Sequence, residues 1–395
     1  MTPEVWLVAG TRPEAVKLAP VAEAFDRGGR LRASIIATGQ HPTMVDQALA
    51  TFGRAPDVRL TVHREDGGQA ELMAQLITGL DRLATARPPS AVIVQGDTTT
   101  TLAGSLVAFW RKIPVVHLEA GLRSFDLAAP FPEELNRRLV TRSAALHLAP
   151  TTYAAGHLLD EGVPAQSVLV TGNTVVDAIS TVTDRPAHFE DPALADMVER
   201  ATRAEHKLML VTAHRRESWG APLRRVLDAI TELLRQHEDL KIVFPTHPNP
   251  AVRRTVTDAL AHHPRVLITE PLPYEQLAGV LAASTIVLSD SGGIQEEAPT
   301  FGVPVLVLRD VTERMEAVDA GCAILVGTDD RRIVSTASAL LSDAAARTAM
   351  TSGGNPFGDG RAAERTEEAL AWLLGLQAMP PKEFAPAGAR PFTAV

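Results

Sequence analysis

Short apolar runs alternate with helix-period segments along nearly the whole chain, and they do so in two successive sets. The first set reads as strands at Val5–Ala9, Ala33–Ala37, Ala91–Gln95, Val115–Leu118, Ala145–Leu148 and Val168–Thr171. The second follows at Leu208–Thr212, Lys241–Pro245, Val266–Thr269, Thr285–Leu288, Pro304–Leu308 and Ala323–Val326. Amphipathic segments such as Thr98–Arg111 and Leu223–Gln236 lie between them. A run that is apolar without alternation is buried on both faces, as happens when helices cover both sides of a parallel sheet. The pattern therefore predicts an α/β fold of two doubly wound, Rossmann-like domains.

A length of 395 residues is enough for two cores. The expected N-terminal domain spans 1–180 and the C-terminal one 205–355, with the best boundary at Asp184–Arg203, where Pro186 and Pro192 fall. The periodic segment Arg361–Leu376 is expected to pack back on the first domain. Residues 379–395 are proline-rich and aperiodic, so a mobile tail is expected there.

A net charge of −9 argues against a dedicated nucleic-acid binder, although a local basic cleft can still hold phosphates. One cysteine, Cys322, excludes an intrachain disulfide framework and a cysteine-only zinc site. With neither a signal-like segment nor an apolar run long enough to span a bilayer, a reducing cytoplasm is the expected location.

Ligands of open α/β sheets bind beyond the carboxyl ends of the strands, and unusual polar residues cluster at such ends. Gly10-Thr11-Arg12-Pro13-Glu14, with Lys17, reads as a capped surface helix or as cations facing phosphate. Asp97, after Gln95-Gly96, reads as a helix cap or as a carboxylate aimed at a ligand. Glu119 ends an apolar strand, a costly place unless it pairs, with Arg123 for instance, or is used. Glu133 and Glu134 suit the first turn of a helix, which does not exclude catalysis by Glu133. His214, Arg215 and Arg216 after the first strand of the second set suit a diphosphate, or form an ion-pair cluster with Glu217. His247 is a loop histidine, a residue more often structural. Ser291-Gly292-Gly293 makes a side-chain-poor strand-to-helix turn suited to an anion, with Glu297 one turn on to grip a ribose. An ordinary turn that binds nothing is the bland alternative. HExxH, GxSxG, Walker and GxGxxG patterns are all missing.

Taken together, GTRPEAVKLAP (10–20), TGQH (38–41), QGDTTTT (95–101), HLEAGLRS (117–124), PFPEELNRRL (130–139), TGNTVVDA (171–178), TAHRRES (212–218), DSGGIQEEAP (290–299), RDVTER (309–314) and NPFGDGRAAER (355–365) resemble, in order, the non-hydrolysing UDP-N-acetylglucosamine 2-epimerases. The resemblance implies a GT-B-like fold with the active site in the cleft between two Rossmann-like domains, a homodimer and a UDP-sugar substrate. It implies acid–base roles for Asp97, Glu119 and Glu133, and a catalytic role for His214. Arg12, Lys17, Arg215, Ser291, Gly292, Gly293, Glu297 and Arg314 are the implied nucleotide-site residues. The implied reaction expels UDP from carbon 1 while the carbon-2 hydrogen is removed, giving 2-acetamidoglucal, and then returns UDP as a proton reaches the opposite face. It needs neither a redox cofactor nor a metal.

Departures from the family pattern are Met315, where many members have proline, and Leu277, where an aromatic often lies near the uracil. Gln40 and His247 match a second, regulatory UDP-N-acetylglucosamine site of bacterial members, but Pro42-Thr43 replaces a polar pair and Asp66 falls where an arginine is often found. A carboxylate there repels a diphosphate, so weak or absent activation is expected. Alternatives are a GT-B glycosyltransferase using a UDP-sugar, a hydrolysing epimerase, a non-catalytic sensor, and a 2-epimerase acting on a modified UDP-sugar in specialised metabolism.

Overall fold

A computed structural model of the chain describes residues 2–65, 67–213, 215 and 219–386. The chain divides into two compact units. One runs up to Ala178 and resumes at Phe357; the other is Ile179–Pro356. The stretch read as the linker, 184–203, holds the helix Pro192–Thr202, whose Leu194, Met197 and Val198 are buried.

In the first unit the strands are β1 (Glu4–Ala9), β2 (Arg32–Ala37), β3 (Val58–Arg59), β4 (Ala91–Gln95), β5 (Val115–Leu118), β6 (Leu146–Ala149) and β7 (Val168–Val170). They form one parallel sheet in the order β3-β2-β1-β4-β5-β6-β7. In the second unit, β8 (Lys207–Thr212), β9 (Leu240–Pro245), β10 (Val266–Thr269), β11 (Ile286–Ser289), β12 (Val305–Val307) and β13 (Ala323–Leu325) follow the order β10-β9-β8-β11-β12-β13. That sheet is parallel as well. Each unit is thus wound outward from its first strand in one direction and then in the other. The reversal lies between β1 and β4 in one and between β8 and β11 in the other. Connections leave such neighbouring strands toward opposite faces, which opens a crevice at their carboxyl ends.

Local sequence explains the elements. β4, AVIVQ, is buried throughout, as a central parallel strand requires. The helix Ala221–Gln236 buries Leu223, Val226, Leu227, Ile230, Leu233 and Leu234, a stripe at the helical period. The helix Arg12–Gly28 starts after Thr11 with proline in its first turn and ends on Gly29 at φ 66°, the left-handed stop that glycine adopts most readily. The two-residue β3 has no counterpart in the sequence reading, because so short a strand leaves no periodic signal.

The helix Ala362–Leu373 belongs to the first unit and packs on the helix Arg12–Gly28. Arg30 donates to Glu367 (Nε–Oε1 3.0 Å) and to Gln377 (2.7 Å). Asp177 accepts from the N–H groups of Ala363 (2.8 Å) and Ala362 (3.2 Å), satisfying donors at the helix start. Part of the stretch expected to be a mobile tail makes contacts with the first unit. Phe384 is buried, its N–H donates to Val170 O (2.8 Å), and Glu383 accepts from Val170 N–H (2.9 Å). The segment docks on the edge strand β7 through one backbone bond and the Glu383 carboxylate, which no side-chain period announces. Residues 387–395 lie outside the described residues.

Burial raises the Asp177 carboxyl to about 6, against the backbone N–H groups of Ala363 and Ala362, which pull it down. Its folded value lies above the ordinary 3.8, so the folded chain binds more protons between the two values. Stability therefore falls as pH rises through that window. The shift corresponds to roughly 3 kcal/mol. Urea unfolding followed across the window should show this slope in the wild type and a flattened one in Asp177→Asn; equal slopes would contradict the assignment.

Candidate functional site

At the β1/β4 reversal the first unit concentrates buried polar groups. Glu14, wholly buried in the first turn of its helix, accepts from Gly10 N–H (2.8 Å), Thr11 N–H (2.7 Å) and Thr11 Oγ1 (2.9 Å). Its other oxygen accepts from Thr98 Oγ1 (2.5 Å) and lies 3.1 Å from Thr101 Oγ1. Burial raises the Glu14 carboxyl, although the bonds from Thr98, Gly10 N–H, the Thr11 hydroxyl and Thr101 lower it. Arg12 stands half-buried at the start of the same helix.

Asp97 follows Gly96, which turns at φ 71° after β4. Asp97 is not the helix cap that one reading allowed: Thr98 is, its side chain accepting from Thr101 N–H. The Asp97 Oδ2 atom takes both Arg137 Nε (2.8 Å) and Nη2 (2.7 Å), and its backbone carbonyl accepts from Asn136 (2.8 Å). The side chain stays 25% exposed, so a carboxylate fixed from one side remains accessible from another. Buried His117 donates through Nε2 to Gly96 O (2.8 Å) and steadies the turn. Burial drives His117 down to about 3, so it is neutral, and its Nδ1 is a buried acceptor with no hydrogen-bond partner among the described residues.

Glu119, just past β5, is buried with φ 61°, a strained value for a non-glycine residue. Arg123 does not pair with it, contrary to the simplest sequence expectation. Arg123 binds Glu161 through Nε (2.6 Å) and Nη2 (2.9 Å). The partner of Glu119 is Lys17, joined by Gln95 on Oε2 and by Asn173 Nδ2 at 3.2 Å. Lys17, expected to face phosphate, thus serves in this state as a buried counter-ion. Glu133 begins the helix Glu133–Ser143 and is half-buried. Its neighbour Glu134 is wholly buried. Burial alone would raise its carboxyl, but Ser124 N–H, Arg138 and Arg137 together hold it below the ordinary value.

The β8/β11 reversal of the second unit is built differently. Arg215 N–H donates to Asp290 Oδ2 (2.9 Å) and its Nε to Asp290 O (3.2 Å), tying the two reversal loops together. Thr212 and Ser289, at the ends of β8 and β11, share a hydrogen bond of 2.6 Å. Ser291 then precedes the short helix Gly292–Glu297. A Cβ on Gly292 would lie 3.0 Å from Arg314 Cζ, so only glycine lets the guanidinium approach the turn this closely. Arg314 is held by Glu296 (2.9 Å), and Glu297 accepts from Tyr274 Oη (3.1 Å). Burial would raise Glu313, yet Arg309 and Arg314 hold it at about 2.

His214, Asp66, Arg216 and Glu217 lie outside the described residues. Of the second-site candidates, Gln40 accepts from Thr100 Oγ1 (2.8 Å) in the first unit. In the second unit, His247 Nδ1 accepts from Asn249 N–H (3.0 Å) and its ring meets Trp219 edge-on.

The family model for UDP-N-acetylglucosamine 2-epimerase matches residues 23–371. The chain belongs to the UDP-N-acetylglucosamine 2-epimerase family. It is 42% identical over 369 residues to the UDP-N-acetylglucosamine 2-epimerase of Salmonella typhimurium, covering 93% of this chain and 98% of that one. A Neisseria meningitidis UDP-GlcNAc 2-epimerase solved with UDP-GlcNAc bound is 39% identical, with a TM-score of 0.84 over 93% of this chain and 99% of that one. A Staphylococcus aureus protein solved with UDP is 39% identical, with a TM-score of 0.88 over 97% and 100%.

Within this UDP-N-acetylglucosamine 2-epimerase family member, sequence reasoning passed over Gln95, Asn173, Arg137 and Glu14 as individual residues. Each lay inside or beside a quoted motif, but its role is to hold another side chain, and such pairings across distant segments have no spacing rule. Lys17→Met should remove a paired cation from buried Glu119 and cost about 3–5 kcal/mol. Adding Glu119→Gln should recover most of that loss in chemical denaturation. A double variant no more stable than Lys17→Met would show that the pair does not govern stability here.

Proposed function

We propose that the chain interconverts UDP-N-acetylglucosamine and UDP-N-acetylmannosamine by inverting carbon 2 of the sugar. Family membership over most of the chain carries this reading, and the carboxylates at the ends of β4 and β5 supply the chemistry it needs. The carbon-2 hydrogen is not acidic in the intact sugar. One carboxylate takes it as the bond from carbon 1 to the phosphate oxygen breaks; UDP departs with the bonding electrons and a carbon 1–carbon 2 double bond forms. Re-addition reverses the electron flow, with the proton delivered to the other face and the phosphate oxygen bonding carbon 1 again. Two faces require two differently placed proton carriers, or one that moves, for which Asp97, Glu119 and Glu133 are the candidates. Asp97, with one oxygen fixed by Arg137 and its side chain partly open, suits direct proton transfer. Glu119, neutralised by Lys17, suits a buried relay.

Detached UDP must be retained, and Arg12, Arg215, Ser291, Gly292, Gly293 and Arg314 are proposed to hold it, with His214 beside the phosphates and Glu297 at the ribose. Such a site costs nothing to reorganise when charge develops on the leaving group. Bound UDP-GlcNAc and UDP in the relatives support this substrate class. The occupied Gln40 and the Asp66 carboxylate go with weak activation by a second UDP-sugar.

A cytoplasmic homodimer completes the proposal. Among the described residues no helix is long and apolar enough to cross a membrane. Phe109 and Trp110 (55% and 58% exposed) and Leu135 and Leu139 lie on two helices that pack together, and their exposed apolar area suits a second copy. Trp110→Asp should shift sedimentation from dimer to monomer; an unchanged dimer would assign the contact elsewhere.

A panel of UDP-sugars incubated in heavy water tests the activity. Deuterium should enter carbon 2 of the N-acetylglucosamine substrate without net UDP release, whereas a transferase or a hydrolysing epimerase would release UDP. Asp97→Asn should lower exchange about 10²-fold or more while UDP affinity stays within a few-fold. Normal exchange in that variant would remove Asp97 from the mechanism.

A further inference from the structure

Glu14 is a buried ionisable group that the proposed chemistry does not use. It is wholly buried, and among the described residues no cation pairs with it. Structural carboxylates of this kind are costly unless their bonds accomplish something. Two of its partners, Gly10 and Thr11, belong to the turn after β1. The others, Thr98 and Thr101, belong to the turn and helix after β4. These loops flank the reversal in strand order, where adjacent connections diverge and nothing in the sheet itself binds one to the other.

We infer that Glu14 is a positioning residue that locks the Arg12 turn to the Asp97 turn of the proposed epimerase site, so that the proton-transferring carboxylate is held in register for the sugar. The inference rests on the function proposed above and deepens it. Thr98 is next to Asp97 in the chain and donates to Glu14 directly (2.5 Å). Thr101 Oγ1 also lies 2.6 Å from Gln95 O, and the Gln95 side chain donates to Glu119. One carboxylate therefore reaches the supports of both Asp97 and Glu119. The donors that meet it are two backbone N–H groups and hydroxyls, so the group serves as an acceptor on both oxygens. Glutamine offers only one acceptor oxygen and turns its amide N–H toward a donor on the other side.

Glu14→Gln, Thr98→Val and their double variant test this, with Thr98→Ser as the conservative rescue. Misplacing a reacting group by about an ångström costs up to 10²-fold. The expected result is a kcat at least about tenfold below wild type with KM within about threefold, in Glu14→Gln and in Thr98→Val. Thr98→Ser should be near wild type, and the double variant no worse than the poorer single, because both act through one bond. Amide hydrogen exchange at residues 10–12 and 96–98 should speed up by about tenfold in Glu14→Gln, while the helix Ala221–Gln236 is unchanged. Unaltered exchange at both turns, a kcat within twofold of wild type, additive losses, or loosening spread evenly over the first unit would each overturn the inference. A wild type without epimerase turnover would instead defeat the proposed function, while the exchange data would still decide whether Glu14 locks the two turns.

Discussion

Each parallel sheet reverses its strand order once, β1 against β4 and β8 against β11, and the loops at these reversals carry much of the candidate site. A parallel sheet covered on both faces has no polar surface of its own. Function must therefore be carried by loops at the carboxyl edge, and the reversal is where two such loops separate enough to admit a ligand. Gly10–Arg12 and Gly96–Asp97 occupy that position in the first unit, and Arg215 and Asp290–Gly293 occupy it in the second. The first unit sets Lys17 and Arg137 against Glu119 and Asp97; the second sets Arg215 and Arg314 against Asp290 and Glu296 around a glycine turn.

Buried charge is expensive, and the way it is compensated separates roles. Glu134 is neutralised by Arg137 and Arg138 and is fully structural in its contacts. Glu119 pairs with Lys17, accepts from the side-chain amides of Gln95 and Asn173, and sits on a strained backbone. Asp97 is fixed by a guanidinium on a single oxygen. Such a gradient from sealed to accessible suits a reaction in which some carboxylates must keep their proton state while others exchange it.

The alternation of apolar runs and helical periods was enough to read two parallel α/β sheets, because doubly covered strands are apolar at every position and short. Strand ends moved by a residue, as at Ile286–Ser289 against the expected Thr285–Leu288, since the hydrogen-bond ladder and not hydropathy ends a strand. What stayed hidden were pairings over long sequence separations. Nothing in the sequence chooses Glu161 over Glu119 for Arg123, or Lys17 for Glu119; the fold does, by bringing distant turns together. The docking of Phe384 on β7 was hidden for a similar reason, resting on a backbone bond and the Glu383 carboxylate in a proline-rich stretch. Motif resemblance pointed to Asp97, Glu119 and Glu133 as candidates, whereas Gln95 and Asn173, which hold Glu119, and Arg137, which holds Asp97, became visible through geometry.

The central claim is that carbon 2 inverts by departure and return of UDP, held in place meanwhile. Positional isotope exchange measures this directly. UDP-N-acetylglucosamine carrying oxygen-18 in the bond between carbon 1 and the β-phosphate is incubated with the protein, and phosphorus NMR follows where the label goes. A detached β-phosphate can rotate, so the account predicts that label moves from the bridging to the non-bridging positions at a rate comparable to epimerisation. Epimerisation with the label left entirely in the bridge would contradict the departure of a β-phosphate that turns before it returns.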